Sequence, residues 1–172
     1  MKAVIFLIKL MRIDERLIHG QVAVVWSKHL GINRIVVADD DVVNNEMQMM
    51  ALKMAVPNGI KVSIISSDKA VSLLNDPRCE SLKVFLIVSN PKTALKMLEN
   101  VNGIPSVNIG NYGRMSQLTD STSNEKEQLA KNLFMDSDDK EVFSRLLSFN
   151  IPADYQPVPT DKAKTLKSLL NI

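Results

Sequence analysis

One stretch of the chain gathers the groups that phosphate chemistry needs. Arg12-Ile13-Asp14-Glu15-Arg16-Leu17-Ile18-His19-Gly20-Gln21 places two arginines, two carboxylates and a histidine within ten residues. Neutral imidazole is nucleophilic near pH 7, so His19 can carry a phosphoryl group reversibly, a reaction that needs mainly positioning and charge stabilisation. Arg16, and Arg12 as a second candidate, offer the planar fork that pairs with phosphate oxygens. Asp14 can hold an arginine or fix the imidazole tautomer, and Gly20 allows close backbone approach. A charged loop containing histidine is also an ordinary solvated feature, and no catalytic-motif rule matches this spacing by itself.

The elements that must position these residues follow from hydrophobic periodicity. Short β-branched runs alternate with segments of helical spacing, which predicts βαβ units and an open, mostly parallel sheet covered by helices on both faces. The first strand ends near Arg12, the joining loop runs to Gly20, and Gln21 opens a helix stopped by Gly31. His19 thus falls at the carboxyl end of a strand and just before a helix, where unpaired N–H groups and the positive helix end favour an anion. Gln21, at the start of that helix, is a phosphate-supporting candidate.

Strands are expected over 34–38, 61–65, 83–88 and 106–110, with helices over 45–56, 68–74 and 93–100. The polar 111–127 stretch reads as an exposed excursion, 132–135 as an antiparallel edge strand, and 155–158 as a last strand before a short helix. A single domain over 1–172 follows, long enough to bury a core without disulfides or structural metal.

Other residues invite chemistry and have simpler explanations. Asp39-Asp40-Asp41 ends the second strand; clustered carboxylates suit Mg²⁺, but a turn and helix cap accounts for them, with Asp40 the one placed to support the site. Ser66 and Ser67 precede a helix as caps, and Ser67 is a candidate to reach a phosphate on His19. Met47, Met49, Met50 and Met54 at helical spacing read as core filler, and His29 as a helix C-terminal residue.

Composition excludes several classes. The charge of +2 is too small and too interspersed for nucleic-acid binding. One cysteine, Cys79, and two histidines rule out an internal disulfide and a Cys/His metal cluster, and suit a reducing cytosol. The apolar opening Ala3–Ile8 is too short to span a bilayer and lacks a cleavage site, so it reads as strand. Neither G-x-G-x-x-G nor G-x-x-x-x-G-K-[ST] occurs, which weakens a nucleotide-binding reading. A non-enzymatic anion-binding domain remains the alternative.

Arg12 to Val22 resembles the phosphorylation-site signature R-I-D-D-R-L-I-H-G-Q-V of the IIB subunits of the mannose/fructose/sorbose family of sugar phosphotransferase systems. Trp26 follows at the family's distance, and Val36 to Asn45, Pro57 to Ser66, Val107-Asn108-Ile109-Gly110 and Gln156 to Asp161 are similar to further family landmarks. The resemblance covers nearly the whole chain. It implies a cytoplasmic phosphoryl carrier working beside membrane subunits. His19 takes phosphate on Nδ1 from a phosphohistidine of a IIA protein and passes it to a sugar held by subunits IIC and IID, with no metal, cofactor or nucleotide. The family does not fix the sugar, and an exposed apolar edge could support a homodimer. Three departures stand out: Glu15 replaces the second Asp, more residues precede Arg12 than in the family pattern, so that Met11 is an alternative start, and Asn111-Tyr112-Gly113-Arg114-Met115 stands where the family has Gly-Gly-Met.

Overall fold

A computed structural model of the chain describes residues 7–115 and 125–172. A seven-stranded sheet runs in the order β3-β2-β4-β1-β5-β8-β9, with β1 Ile8–Asp14, β2 Arg34–Ala38, β3 Lys61–Ile65, β4 Val84–Val88, β5 Val107–Asn111, β8 Ala153–Tyr155 and β9 Lys164–Thr165. All pairings are parallel except β8 with β9. The helices α1 Gly20–Leu30, α2 Glu46–Met54, α3 Ser67–Leu74, α4 Pro91–Asn100, α5 Ser137–Leu147 and α6 Leu166–Leu170 supply the layers.

Two buried clusters show why the sheet is covered twice. Ala23 and Trp26 of α1 and Leu52 of α2 pack with Leu10, Ile35, Val37, Phe85 and Ile87 on one face. Ala70, Leu74, Ala94, Met97, Phe143 and Leu146 pack with Met11, Ile13, Val36, Leu86 and Ile109 on the other. Successive side chains of a strand point to opposite faces, so a strand sandwiched this way is largely apolar, and any polar side chain on it must find a partner inside. Val84–Val88 is buried at every position. α1 and α4 leave the adjacent strands β1 and β4 for opposite faces, which makes the carboxyl ends of this pair a switch point where open α/β sheets bind ligands.

Several boundaries differ from expectation. β1 continues through Arg12 to Asp14, because both charges are satisfied inside the sheet and need no loop. The antiparallel edge of the main sheet is Lys164–Thr165; Leu133–Met135 (β7) pairs with Glu127–Ala130 (β6) in a separate two-stranded sheet. The last parallel strand, Ala153–Tyr155, stops where it was expected to begin. In the 111–127 stretch Asn111 and Gly113 are buried and the Tyr112 hydroxyl donates to Asp139 Oδ1 at 2.7 Å; residues 116–124 lie outside the described residues. The residues expected to begin the first strand before Leu7 do so as well.

The methionines of α2 overturn the core-filler reading. Met47, Met50 and Met54 are 82%, 65% and 84% exposed. They share one stripe at i, i+3 and i+7, opposite buried Leu52 and half-buried Met49. This nine-residue helix meets the sheet through a narrow strip, so only Met49 fills core. Among the described residues no helix is long and apolar enough to cross a membrane.

Candidate functional site

After Asp14 the chain turns sharply. The Leu17 N–H donates to the Asp14 carbonyl at 2.8 Å, and Leu17 takes a left-handed φ of 59°. A branched residue there costs about 1–3 kcal/mol. Burial of the Leu17 and Ile18 side chains in the α1-face core holds the conformation. The two apolar anchors leave His19 as the next residue, exposed at the lip of the turn with extended φ and ψ of −134° and 110°.

Beneath the turn, the buried Asp14 carboxylate organises both arginines. It accepts from the Arg16 backbone N–H at 3.1 Å, Arg16 Nε at 3.2 Å, Arg16 Nη2 at 3.3 Å and Arg12 Nη2 at 2.9 Å. Arg12 is only 1% exposed. It also donates to Asn108 Oδ1 and the Gln156 carbonyl, and its guanidinium lies 5.6 Å from the centre of the Trp26 ring. Burial pulls the Arg12 guanidinium below its usual value, with the charge of Asp14 opposing that shift. Arginine nevertheless stays protonated near neutrality, and an unpaired buried charge would be far costlier than this pair.

Arg12 and Arg16 therefore play different parts. Arg12, expected among the phosphate-supporting residues, is walled in and both of its Nη atoms are engaged with Asn108, Gln156 and Asp14, so it does not present them to an anion at the surface. Arg16 is a third exposed, and Asp14 takes its Nε and Nη2; among the described residues its Nη1 has no hydrogen-bond partner. Of the alternatives for Asp14, this structure has it holding the arginines.

The N-terminus of α1 is open. Asn45, Ser66, Asn90, Asp136 and Thr165 cap α2 to α6 through their side chains, but His19, the N-cap of α1, makes no side-chain capping bond, and the first turn holds no acidic residue. The first N–H groups of a helix have no partner within it. Gly20, Gln21 and Val22 thus present donors at the positive helix end, uncompensated, beside the exposed imidazole. Gly20 adopts φ +45°, which glycine enters without strain.

Glu15 has a role that the sequence did not disclose. Its carboxylate accepts from Asn111 Nδ2 and from the N–H groups of Gly113, Arg114 and Met115 at 3.0–3.3 Å. Its own N–H donates to the Asn111 carbonyl at 2.9 Å. Two of the three departures from the family pattern are therefore in contact: the longer acidic side chain clasps the altered segment. The hint was available in their joint occurrence, but nothing in one sequence places residue 15 against residues 111–115.

Asp40 and Ser67 were expected to support the site and instead meet each other. Asp40 accepts the Ser67 N–H and hydroxyl, both at 2.8 Å, and those bonds hold its carboxyl below the usual range. Lys96 Nζ donates to Ser67 Oγ at 2.7 Å. These groups secure the start of α3. Asp39 caps its own turn through the N–H groups of Asp41 and Val42. His29 is exposed, edge-on to Trp26 at 5.7 Å.

The family model for the PTS system sorbose subfamily IIB component matches residues 8–172. A probable phosphotransferase enzyme IIB component of Streptococcus pyogenes is 37% identical over 161 residues, covering 93% of this chain and 97% of the relative. The crystal structure of the IIBSor domain of the sorbose permease from Klebsiella pneumoniae superposes with a TM-score of 0.85 at 34% identity, over 95% of this chain and 96% of that one. The mannose-specific EIIAB component of Escherichia coli is 29% identical over 95% of this chain, which spans 48% of that longer protein.

Proposed function

Since this chain belongs to the sorbose-subfamily IIB components, the phosphotransfer subunits of sugar phosphotransferase systems, we propose that His19 is its phosphoryl carrier. The observation that carries the reading is the open N-terminus of α1, with the exposed His19 imidazole at its mouth. A phosphohistidine on a IIA protein or domain is the donor, a partner consistent with the EIIAB arrangement of the mannose-specific relative. The lone pair of His19 Nδ1 attacks phosphorus in line as the donor's P–N bond breaks. In the second step the oxygen of a sugar hydroxyl, held by membrane subunits IIC and IID on the cytoplasmic side, attacks phosphorus as the His19 P–N bond breaks, and the hydroxyl proton is released to solvent.

The residues divide the work by position. N–H groups of Gly20, Gln21 and Val22 and the free side of Arg16 meet the equatorial phosphoryl oxygens, where charge spreads in the transition state. Asp14 keeps Arg16 in place, and Arg12 keeps Asp14 oriented. Asp40 and Ser67 stay outside the transfer set, because their polar groups are spent on each other.

Incubation with the general phosphotransferase proteins, a cognate IIA and labelled phosphoenolpyruvate should yield an acid-labile, base-stable adduct that is absent from His19→Ala. Equal labelling of His19→Ala and the parent would sink the reading. Calorimetry with inorganic phosphate, alongside intact mass, separates it from a non-enzymatic anion-binding domain, which would bind phosphate and stay unmodified.

A further inference from the structure

β5 runs alongside β1, with Asn108 opposite Arg12, and the Arg12 guanidinium lies over Gly110. A Cβ on Gly110 would stand 1.8 Å from Arg12 Nη2, 2.1 Å from Cζ and 2.6 Å from Nη1. Gly110 is not among the positive-φ residues, so backbone conformation does not call for glycine; space does. Moving aside would cost the guanidinium the pairing partners that hold it, which are Asn108 Oδ1, the Gln156 carbonyl and Asp14.

We propose that Gly110 is a positioning residue for phosphoryl transfer, its absent side chain being the seat from which Arg12 sets Asp14 and, through Asp14, Arg16. This rests on the carrier reading of His19 and adds to it a residue distant in sequence. The chain of contact is short: Gly110 leaves room for Nη1, Nη2 and Cζ; Arg12 Nη2 meets Asp14 Oδ2; the same oxygen meets Arg16 Nη2. A methyl group at 110 displaces the first member and re-aims the last. His19 and the N-terminus of α1 keep their own supports in Leu17 and Ile18. The damage therefore falls on charge stabilisation and leaves docking of the donor unchanged.

The test is single-turnover transfer from phosphorylated IIA to the parent, Gly110→Ala, Arg12→Ala and the double variant. Gly110→Ala should slow transfer at saturating donor by roughly ten- to a hundredfold, the range for about 1 Å of misplacement, with the half-saturating donor concentration unchanged. In the Arg12→Ala background the same substitution should cost nothing further, because the seat is empty. Should Gly110→Ala fail to fold, the double variant still decides, its rate matching Arg12→Ala. Parent-like transfer by Gly110→Ala, or losses that add in the double variant, would overturn the inference while His19 still labels. A parent that takes no label overturns the carrier reading itself and this inference with it.

Discussion

Two helices begin at the carboxyl edge of the same sheet and treat their N-termini in opposite ways. α3 is closed. The Ser66 hydroxyl accepts from the Lys69 N–H at 3.3 Å, Asp40 takes the Ser67 N–H, and Asp68 adds negative charge in the first turn. α1 has none of this: its N-cap is a histidine without a capping bond, its first turn holds no acidic residue, and Asp14 at the end of β1 is buried and occupied by two arginines. Closed helix ends serve stability, whereas an open one keeps donors for a ligand that comes and goes.

The largest effect should come from the carboxylate that holds both arginines beneath α1. Asp14→Ala strands Arg12 as a buried unpaired charge and should cost about 3–5 kcal/mol of stability, read from the urea midpoint; a loss below about 1 kcal/mol would deny that the pair is buried. Arg16→Ala should leave that midpoint nearly unchanged and lower transfer to His19 about a hundredfold, as loss of one transition-state donor does. Arg16→Lys should recover little of it, since the fork on Asp14 is lost.

Making α1 resemble α3 sharpens the contrast. Gln21→Glu puts a carboxylate in the open first turn; it should raise stability by about 0.3–1 kcal/mol in thermal melts and slow transfer roughly tenfold by competing with phosphate. Faster or unchanged transfer would show that the helix end is not used. The smallest effect concerns α3. Asp40 is held below its ordinary value chiefly by the Ser67 N–H and hydroxyl, so its contribution is complete above about pH 4 and declines as pH falls through the depressed value. Asp40 is exposed, so Asp40→Asn should cost below about 1 kcal/mol at pH 7, less still near pH 3, with transfer unchanged.

Much of this was legible in the chain. Parallel strands buried on both faces announce themselves as apolar runs, and Arg34–Ala38 and Lys61–Ile65 match their expected bounds. His19 was placed before a helix by local spacing alone. Local pattern could not foresee Arg12 and Asp14 as strand residues, because a pair of opposite charges looks solvated until Asn108 and Trp26 close over it. It could not foresee Glu15 reaching residues 111–115, or Asp40 spending itself on Ser67, since both depend on partners at least 27 residues away. The exposed methionines of α2 were misread because spacing gives a stripe but does not say whether that stripe faces the sheet.

Amide spectra of the ¹⁵N-labelled protein, before and after phosphorylation through IIA, test the contrast between the two helix ends most directly. A phosphoryl group on His19 should shift the Gly20, Gln21 and Val22 amides downfield as they begin to donate, and leave Ser67, Asp68 and Lys69 unmoved. Phosphorylation that moves the α3 amides and leaves those of α1 in place would contradict it.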